Sequence, residues 1–166
     1  MAERSGRATP GPETSTFHRD EPEALVARMT ELAAARRGWV NLSPGVVDEG
    51  AVPQDDGLFA LFSGRGPLVP LCTWSPGEAR RHGVAPASVG LQHRAGPKAV
   101  ARLADLAHPV PSGWAVLPDH PRRGLVLRVA PETTPGEALV WLLAAGERLC
   151  AVPVTGWWFA SVFPGT

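Results

Sequence analysis

The sequence predicts an α+β protein in which residues 88–163 form a β-α-β-β-α-β unit. Three observations predict this order: short apolar runs with the length of strands, two segments with apolar residues at helical spacing, and a stretch of turn formers between two of the runs. Two right-handed crossovers would join the four strands into one antiparallel sheet with both helices on the same face.

The first strand and the first helix have separate signals. Residues 88–93 alternate apolar with small or polar side chains, as in a strand covered on one face. Gly96-Pro97 predicts a helix start, because the N–H that proline lacks would have no partner in the first turn. Apolar residues then recur at helical spacing, and Pro109 prevents continuation beyond about residue 108.

The next two strands form a predicted hairpin. Residues 113–117 and 124–129 are apolar, and residues 118–123 between them combine proline with charged side chains. Turn formers at that spacing favour an antiparallel pair joined by a slightly long loop.

A second helix and a last strand complete the unit. Thr134 and Glu137 match the capping box, in which each side chain satisfies a free amide of the first turn. Apolar residues cover the following helix nearly all round, which predicts burial on more than one side. Residues 156–163 are predicted to be the closing strand. The complete order is ferredoxin-like, and we expect the strands at 88–93 and 124–129 to be the inner ones.

The preceding residues are predicted to support this module. Residues 1–19 are polar and rich in Gly, Pro, Ser and Thr, which predicts a disordered tail. Residues 20–87 begin with a helix that Asp20 caps, and continue as short strands that include a β-hairpin across residues 58–74. We expect this part to extend the sheet or to cover its open face, so that it forms one compact domain with residues 88–166.

Two further patterns fall within residues 20–87. The acidic residues between Asp48 and Asp56 lack the register of a calcium loop, which favours a solvated loop. Ser75 and Glu78 repeat the spacing of a capping box, which predicts about two turns of helix ending at Gly83.

The composition restricts the classes of function. Lys and Arg total 16, as do Asp and Glu, so no net charge attracts nucleic acid or a membrane surface. The sequence has no apolar run long enough to span a membrane and no apolar signal core at its start. Cys72 and Cys150 lie in apolar runs, which predicts reduced, buried thiols and a cytoplasmic location, with a disulfide or a catalytic thiol as the alternative.

A Gly-Trp pair opens three of the predicted strands. The three tryptophans could pack where a helix meets the sheet, or they could form a platform for a ligand. The pairs are Gly38-Trp39, Gly113-Trp114 and Gly156-Trp157.

One candidate binding site follows from the predicted topology. The end of the first strand, the start of the first helix and the hairpin turn would lie at one edge of the sheet. A helix start with free amides favours an anion, and two arginines could hold it bidentately. A small anion such as phosphate or carboxylate, or an acidic residue of a protein partner, would fit; the alternative is a solvated, charged turn. The residues concerned are His93, Arg94, Lys98, Asp119, His120, Arg122 and Arg123.

A second candidate surface is the open face of the sheet. Val126, Trp157 and Phe159 would be exposed there unless another part of the chain, a second copy or a protein partner covered them. The expected function is therefore a non-catalytic interaction module or a small-anion-binding module.

The alternatives are weaker in the sequence. A small enzyme could use His93 and His120 as general acid and base beside Arg94. The histidines lack metal-ligand spacing, and no glycine-rich phosphate motif occurs, so neither a metal nor a cofactor is expected. RNA binding is not expected, because the inner strands of the predicted sheet lack aromatic residues for stacking and the chain has no net charge.

Overall fold

Seven strands form one antiparallel sheet in the computed structural model, which describes residues 11–51, 66–81, 83–120 and 124–165. The strand order is β1-β9-β2-β3-β6-β8-β7, and two further strands, β4 and β5, form a separate small hairpin. The helices and strands within these residues are β1 (Glu13–His18), α1 (Glu23–Ala35), β2 (Trp39–Val46), β3 (Leu71–Ser75), β4 (Ala79–Arg80), β5 (Gly83–Val84), β6 (Ser88–Gln92), α2 (Ala99–Asp105), β7 (Ala115–His120), β8 (Gly124–Arg128), α3 (Pro135–Leu149) and β9 (Val154–Phe163).

The fold is therefore α+β, with three described helices and an open antiparallel sheet. Strands β6, β8 and β7 are neighbours in that order, and β6 and β8 are inner strands, as predicted. The predicted place of the last strand is wrong. β9 does not lie beside β6, because β2 and β3 are inserted between them, and the four strands of the expected ferredoxin-like module are not contiguous.

The inserted strands enter the sheet because they contribute to its core. Val40 and Leu42 of β2, with Cys72 and Trp74 of β3, are at most 2% exposed. Side chains alternate between the two faces of a strand, so these four lie on one face. Placing β2 and β3 at a sheet edge would leave this apolar surface partly in water.

All three described helices pack on that same face. α3 contacts β2, β3 and β6, and it also contacts α1 and α2. Eight of its side chains or glycines are buried, which confirms the prediction from its apolar pattern. The opposite face of the sheet carries none of the described helices.

The helix starts follow the sequence signals only in part. The capping box of α3 is confirmed: Thr134 N donates to Glu137 Oε2 at 2.8 Å, and Glu137 N donates to Thr134 Oγ1 at 3.2 Å. Asp20 does not cap α1, which starts after Pro22 without a side-chain cap. α2 starts at Ala99 rather than at the Gly96-Pro97 pair, because Lys98 adopts a left-handed conformation with φ 66°.

The predicted disordered tail includes a strand. Residues 13–18 form the edge strand β1, which pairs with β9, whereas residues 1–10 lie outside the described residues. Thr14 and Thr16 are β-branched residues that favour such a strand. Arg28 of α1 further fixes β1 by donating to both carboxylate oxygens of Glu13, at 3.0 and 2.6 Å.

Two other predictions concern the segment before β6. The short helix expected at 75–83 is wrong, because residues 79–84 include the hairpin strands β4 and β5. The first strand of the hairpin expected across 58–74 lies outside the described residues, and its second strand corresponds to β3, which pairs with β2 and β6.

Two chain-wide expectations can be compared with this fold. No helix among the described residues has the length and hydropathy that crossing a membrane requires.

Cys72 is buried and Cys150 is half-buried, and neither forms a disulfide. Burial raises the pKa of the Cys72 thiol far above its ordinary value, so that thiol stays protonated and unreactive.

Candidate functional site

At the predicted anion site, a carboxylate of the chain itself accepts hydrogen bonds from the first amides of the helix. Asp119 Oδ1 accepts from Ala99 N and Asp119 Oδ2 accepts from Val100 N, each at 3.3 Å. The end of β7 and the start of α2 therefore meet, as the predicted edge requires. The anion at the helix amides is the Asp119 carboxylate, and α2 has only seven residues.

His93 is enclosed at this edge. It is 3% exposed and is the only buried polar or charged residue among those described. Its Nδ1 accepts from Ala95 N at 3.2 Å, which places the hydrogen of the neutral ring on Nε2, and Nε2 has no hydrogen-bond partner among the described residues. Burial lowers the pKa of His93; the negative charge of Asp119 opposes this shift in part, and the positive charge of Arg102 adds a smaller lowering effect. An acid–base role of His93 together with His120 stays a prediction.

The remaining residues of the predicted site do not form a described cluster. Arg94 and Lys98 are exposed. The backbone of His120 pairs with Gly124 at the end of the β7–β8 ladder. Arg122 and Arg123 lie outside the described residues, so an anion held by Arg94 with either of them stays a prediction.

The open face of the sheet carries four aromatic side chains on two neighbouring strands. These residues, Trp39, Trp157, Phe159 and Phe163, are called the aromatic patch here. Trp157 and Phe159 are 53% and 51% exposed, and Trp39 is 40% exposed. Trp39 of β2 stacks on Phe163 of β9 with ring centroids 4.7 Å apart and planes 10° apart.

Neighbouring strands add polar but uncharged groups to this surface. On β2 and β3, Thr73 Oγ1 donates to Asn41 Oδ1 at 2.9 Å, and Ser43 Oγ donates to Pro70 O at 3.1 Å. On β1, the His18 ring meets Trp157 edge to face at 5.5 Å. The surface therefore combines exposed aromatic rings with amide and hydroxyl groups.

The three Gly-Trp pairs share one backbone conformation. Gly38, Gly113 and Gly156 have φ values of 86°, 83° and 87°, a region that favours glycine. Their tryptophans nevertheless have two roles. Trp114 packs edge to face on Trp141 and donates from Nε1 to Thr133 Oγ1 at 3.1 Å, whereas Trp39 and Trp157 belong to the aromatic patch.

Sequence reasoning found half of the aromatic patch. The alternation of β9 placed Trp157 and Phe159 on the open face, and the structure agrees. Trp39 was missed as a member, because only the pairing of β2 with β9 brings it opposite Phe163. The sequence argument about RNA concerned the strands at 88–93 and 124–129, which correspond to β6 and β8; the aromatic residues lie on two other inner strands, β2 and β9.

Within the described residues, no group of three His, Cys, Asp or Glu side chains is arranged to hold a metal ion. Comparison with known proteins finds no matching family model, no matching curated protein and no matching solved structure. Arguments about function therefore rest on the surfaces of the chain itself.

Proposed function

We propose that this protein is a non-catalytic binding module that associates with a second copy of itself through the aromatic patch. The observation that carries the proposal is the exposure of Trp39, Trp157 and Phe159 on a sheet face without any of the described helices. Exposed apolar surface of this kind marks an interaction site, and aromatic residues are enriched in the centre of protein interfaces.

The gain from covering these rings is substantial. A buried tryptophan or phenylalanine removes about 150–250 Å² from water, so each half-exposed ring has about 100 Å² left to bury. At about 25 cal/mol per Å², this corresponds to about 2.5 kcal/mol for each ring. Both copies contribute in a symmetric pair, which helps to offset the association cost of about 4–15 kcal/mol.

The charge of the patch favours a second copy as the occupant. A two-fold pair places the same surface on both sides of the interface, so any charge would face or approach its like. The patch and the neighbouring groups Asn41, Ser43 and Thr73 are uncharged. A surface without charge is compatible with itself.

The size of the face also suits a pair. The five strands from β1 to β6, spaced about 4.8 Å apart, span about 19 Å of the sheet beside β8, and the ten residues of β9 extend over about 33 Å. Stable interfaces bury about 600–1,000 Å² on each partner, which a surface of these dimensions can supply. Two such sheets would pack face to face at a separation of about 10 Å.

The test is the molar mass in solution, measured by sedimentation equilibrium over a range of concentrations. We expect the wild-type chain to approach twice its monomer mass of 17.5 kDa. Phe159→Glu places two carboxylates at the pair interface and should give a monomer. Val140→Glu is the matched control, because Val140 is 60% exposed but lies on α3, away from the open face, and this variant should still pair.

Three results would contradict the proposal. The first is a wild-type chain that stays monomeric at about 1 mM, which corresponds to an association free energy weaker than about −4 kcal/mol. The second is an equal loss of mass in Phe159→Glu and Val140→Glu. The third is quenching of tryptophan fluorescence by a single-stranded RNA that Phe159→Glu abolishes, which would assign the patch to base stacking instead.

A further inference from the structure

A groove of about 500 Å³ lies on the open face of the same sheet, beside β6, β8 and β7 and away from the aromatic patch. It is open to solvent, and its volume falls within the range of about 300–1,000 Å³ that ligand sites occupy. One wall is the β4–β5 hairpin and the segment that follows it, and the other wall is formed by β7 and β8. The lining residues are Arg81, Gly83, Val84, Ala85, Pro86, Ser88, Leu117 and Arg128.

The walls of the groove are fixed by backbone hydrogen bonds. Ala85 N donates to Glu78 O at 2.8 Å, which closes the base of the hairpin. Val129 N donates to Ala87 O at 2.9 Å, which attaches the segment after the hairpin to the end of β8. The groove is therefore formed by ladder and turn contacts, without the need for a ligand.

Two arginines line the groove from different elements. Arg81 lies in the turn between β4 and β5, and Arg128 lies at the end of β8, where it pairs with Ser88 of β6. Directly opposed residues of antiparallel strands are about 5 Å apart, so the Ser88 hydroxyl is within reach of the same ligand as Arg128. Neither arginine forms an ion pair with a described carboxylate.

The rest of the lining is apolar and in part exposed. Val84 and Leu117 are 54% and 48% exposed, and they are among the large apolar side chains that the fold leaves in water. Ala85 and Pro86 continue this apolar surface along the hairpin side. A ligand with charge alone would leave these side chains uncovered.

We infer that this groove binds a small organic anion that has an apolar body, such as an aromatic or aliphatic carboxylate or phosphate monoester. The anionic group lies between Arg81 and Arg128 and accepts from Ser88, because guanidinium groups form charge-assisted hydrogen bonds with such oxygens. The apolar body covers Val84 and Leu117. The site is distinct from the aromatic patch, which lies on β2 and β9 at the opposite side of β3.

The experiment titrates the full chain with four probes: phenyl phosphate, benzoate, inorganic phosphate and benzyl alcohol. Binding is measured by the shifts of backbone amide resonances, and we expect phenyl phosphate or benzoate to shift the amides of Ser88 and Leu117 at lower concentration than the other probes do. Arg81→Gln and Arg128→Gln should each weaken that binding by about tenfold, the equivalent of about 1.4 kcal/mol for a lost charge-assisted bond. Arg37→Gln is the control, because Arg37 is also exposed but follows α1, far from the groove and outside the candidate anion site.

Other outcomes overturn the inference. Inorganic phosphate that binds as tightly as phenyl phosphate would show a site for charge alone, without an apolar subsite. Equal weakening by Arg37→Gln and Arg128→Gln would show a general effect of charge. The absence of shifts from every probe at about 10 mM would show that the groove binds these probes with a free energy weaker than about −3 kcal/mol. Because the groove and the aromatic patch share the open face, the same titration is repeated on Phe159→Glu, in which pairing is expected to be absent.

Discussion

The two faces of the sheet use tryptophan in opposite ways. Trp74 and Trp158, on the face that the helices cover, are 2% and 0% exposed, whereas Trp39 and Trp157 on the open face are 40% and 53% exposed. Trp157 and Trp158 are neighbours in the sequence, so local composition does not explain the difference. Strand alternation does, because it directs adjacent side chains to opposite faces. One residue of register separates a side chain that stabilises the fold from one that is available for binding.

The largest effect should come from truncating the covered member of this pair. Trp158→Ala removes a fully buried ring that packs beneath α3, and it should lower the free energy of unfolding by about 3–5 kcal/mol. Trp157→Ala removes a half-exposed ring and should change that free energy by no more than about 0.5 kcal/mol. Urea unfolding of the wild-type chain and both variants, followed by circular dichroism at protein concentrations where the wild-type chain is monomeric, measures the difference.

Equal destabilisation by the two substitutions would contradict the contrast between the covered and the open face. It would mean that Trp157 is covered in the folded monomer. A loss of folding stability in Trp158→Ala alone, together with weaker pairing of Trp157→Ala, would show that the covered tryptophan stabilises the fold and the open one supports association.

The covered face can also be tested by adding volume. A Cβ at Gly146 of α3 would lie 2.8 Å from Cys72 Sγ and 2.8 Å from Trp158 Cη2, both of which belong to the buried core. Gly146→Ala should therefore lower the free energy of unfolding by about 1–3 kcal/mol, more than alanine gains as a helix former. Gly136→Ala is the control in the same helix, since its Cβ would meet Val26 Cγ1 at an ordinary distance of 3.4 Å.

The same unfolding assay separates the two glycines. We expect Gly136→Ala to be neutral or slightly stabilising. A neutral result for Gly146→Ala would show that α3 can move away from the sheet at little cost, and close packing would then not be what distinguishes the covered face from the open one.

Most local elements could be predicted from the sequence because their signals are local. The capping box of Thr134 and Glu137 defines the start of α3, and the apolar runs and turn formers between residues 113 and 129 define the β7–β8 pair. The open position of Trp157 and Phe159 follows from period-two alternation within β9. Each of these inferences needs only residues close to one another in the chain.

The strand order could not be predicted in the same way. Trp39 pairs with Phe163 and Leu42 pairs with Cys72, and no local pattern specifies partners so far apart in the sequence. This is why β9 was expected beside β6 and why the aromatic patch was only half recognised. Topology decides which aromatic residues become neighbours.

The candidate anion site is a second case in which a contact between distant residues could not be predicted, and here it involves a single side chain. From the sequence we expected an external anion or an acidic partner residue at the start of α2, with a solvated, charged turn as the alternative. Asp119 occupies this place, because the β7–β8 pairing carries that carboxylate to the amides of Ala99 and Val100. The local sequence pattern is the same whether the first amides of a helix are bonded by a side chain of the chain or are free to bind a ligand.

The smallest expected effect is a pH dependence of the free energy of unfolding, which arises from histidines on the helix-covered side. Burial holds the pKa of His93 below its ordinary value of 6.5, and it lowers the pKa of His108 in the same direction. The unfolded chain therefore takes up protons near pH 6.5 before the folded chain does. The free energy of unfolding should fall as the pH drops below about 6.5, with a slope of at most about 1.4 kcal/mol per pH unit for each group, until the pH passes the folded pKa.

His93→Asn provides the test, because an asparagine side-chain oxygen can still accept from Ala95 N, as His93 Nδ1 does at 3.2 Å. Urea unfolding of the wild-type chain and of this variant between about pH 7 and pH 5 should show a shallower slope in the variant, with the remaining slope due in part to His108. An unchanged slope would mean that protonated His93 is accommodated at the edge beside Asp119, where the unpaired Nε2 would then need an acceptor or water. The helix-covered layer would in that case be open at this edge, and its contrast with the exposed aromatic face would hold only for the centre of the sheet.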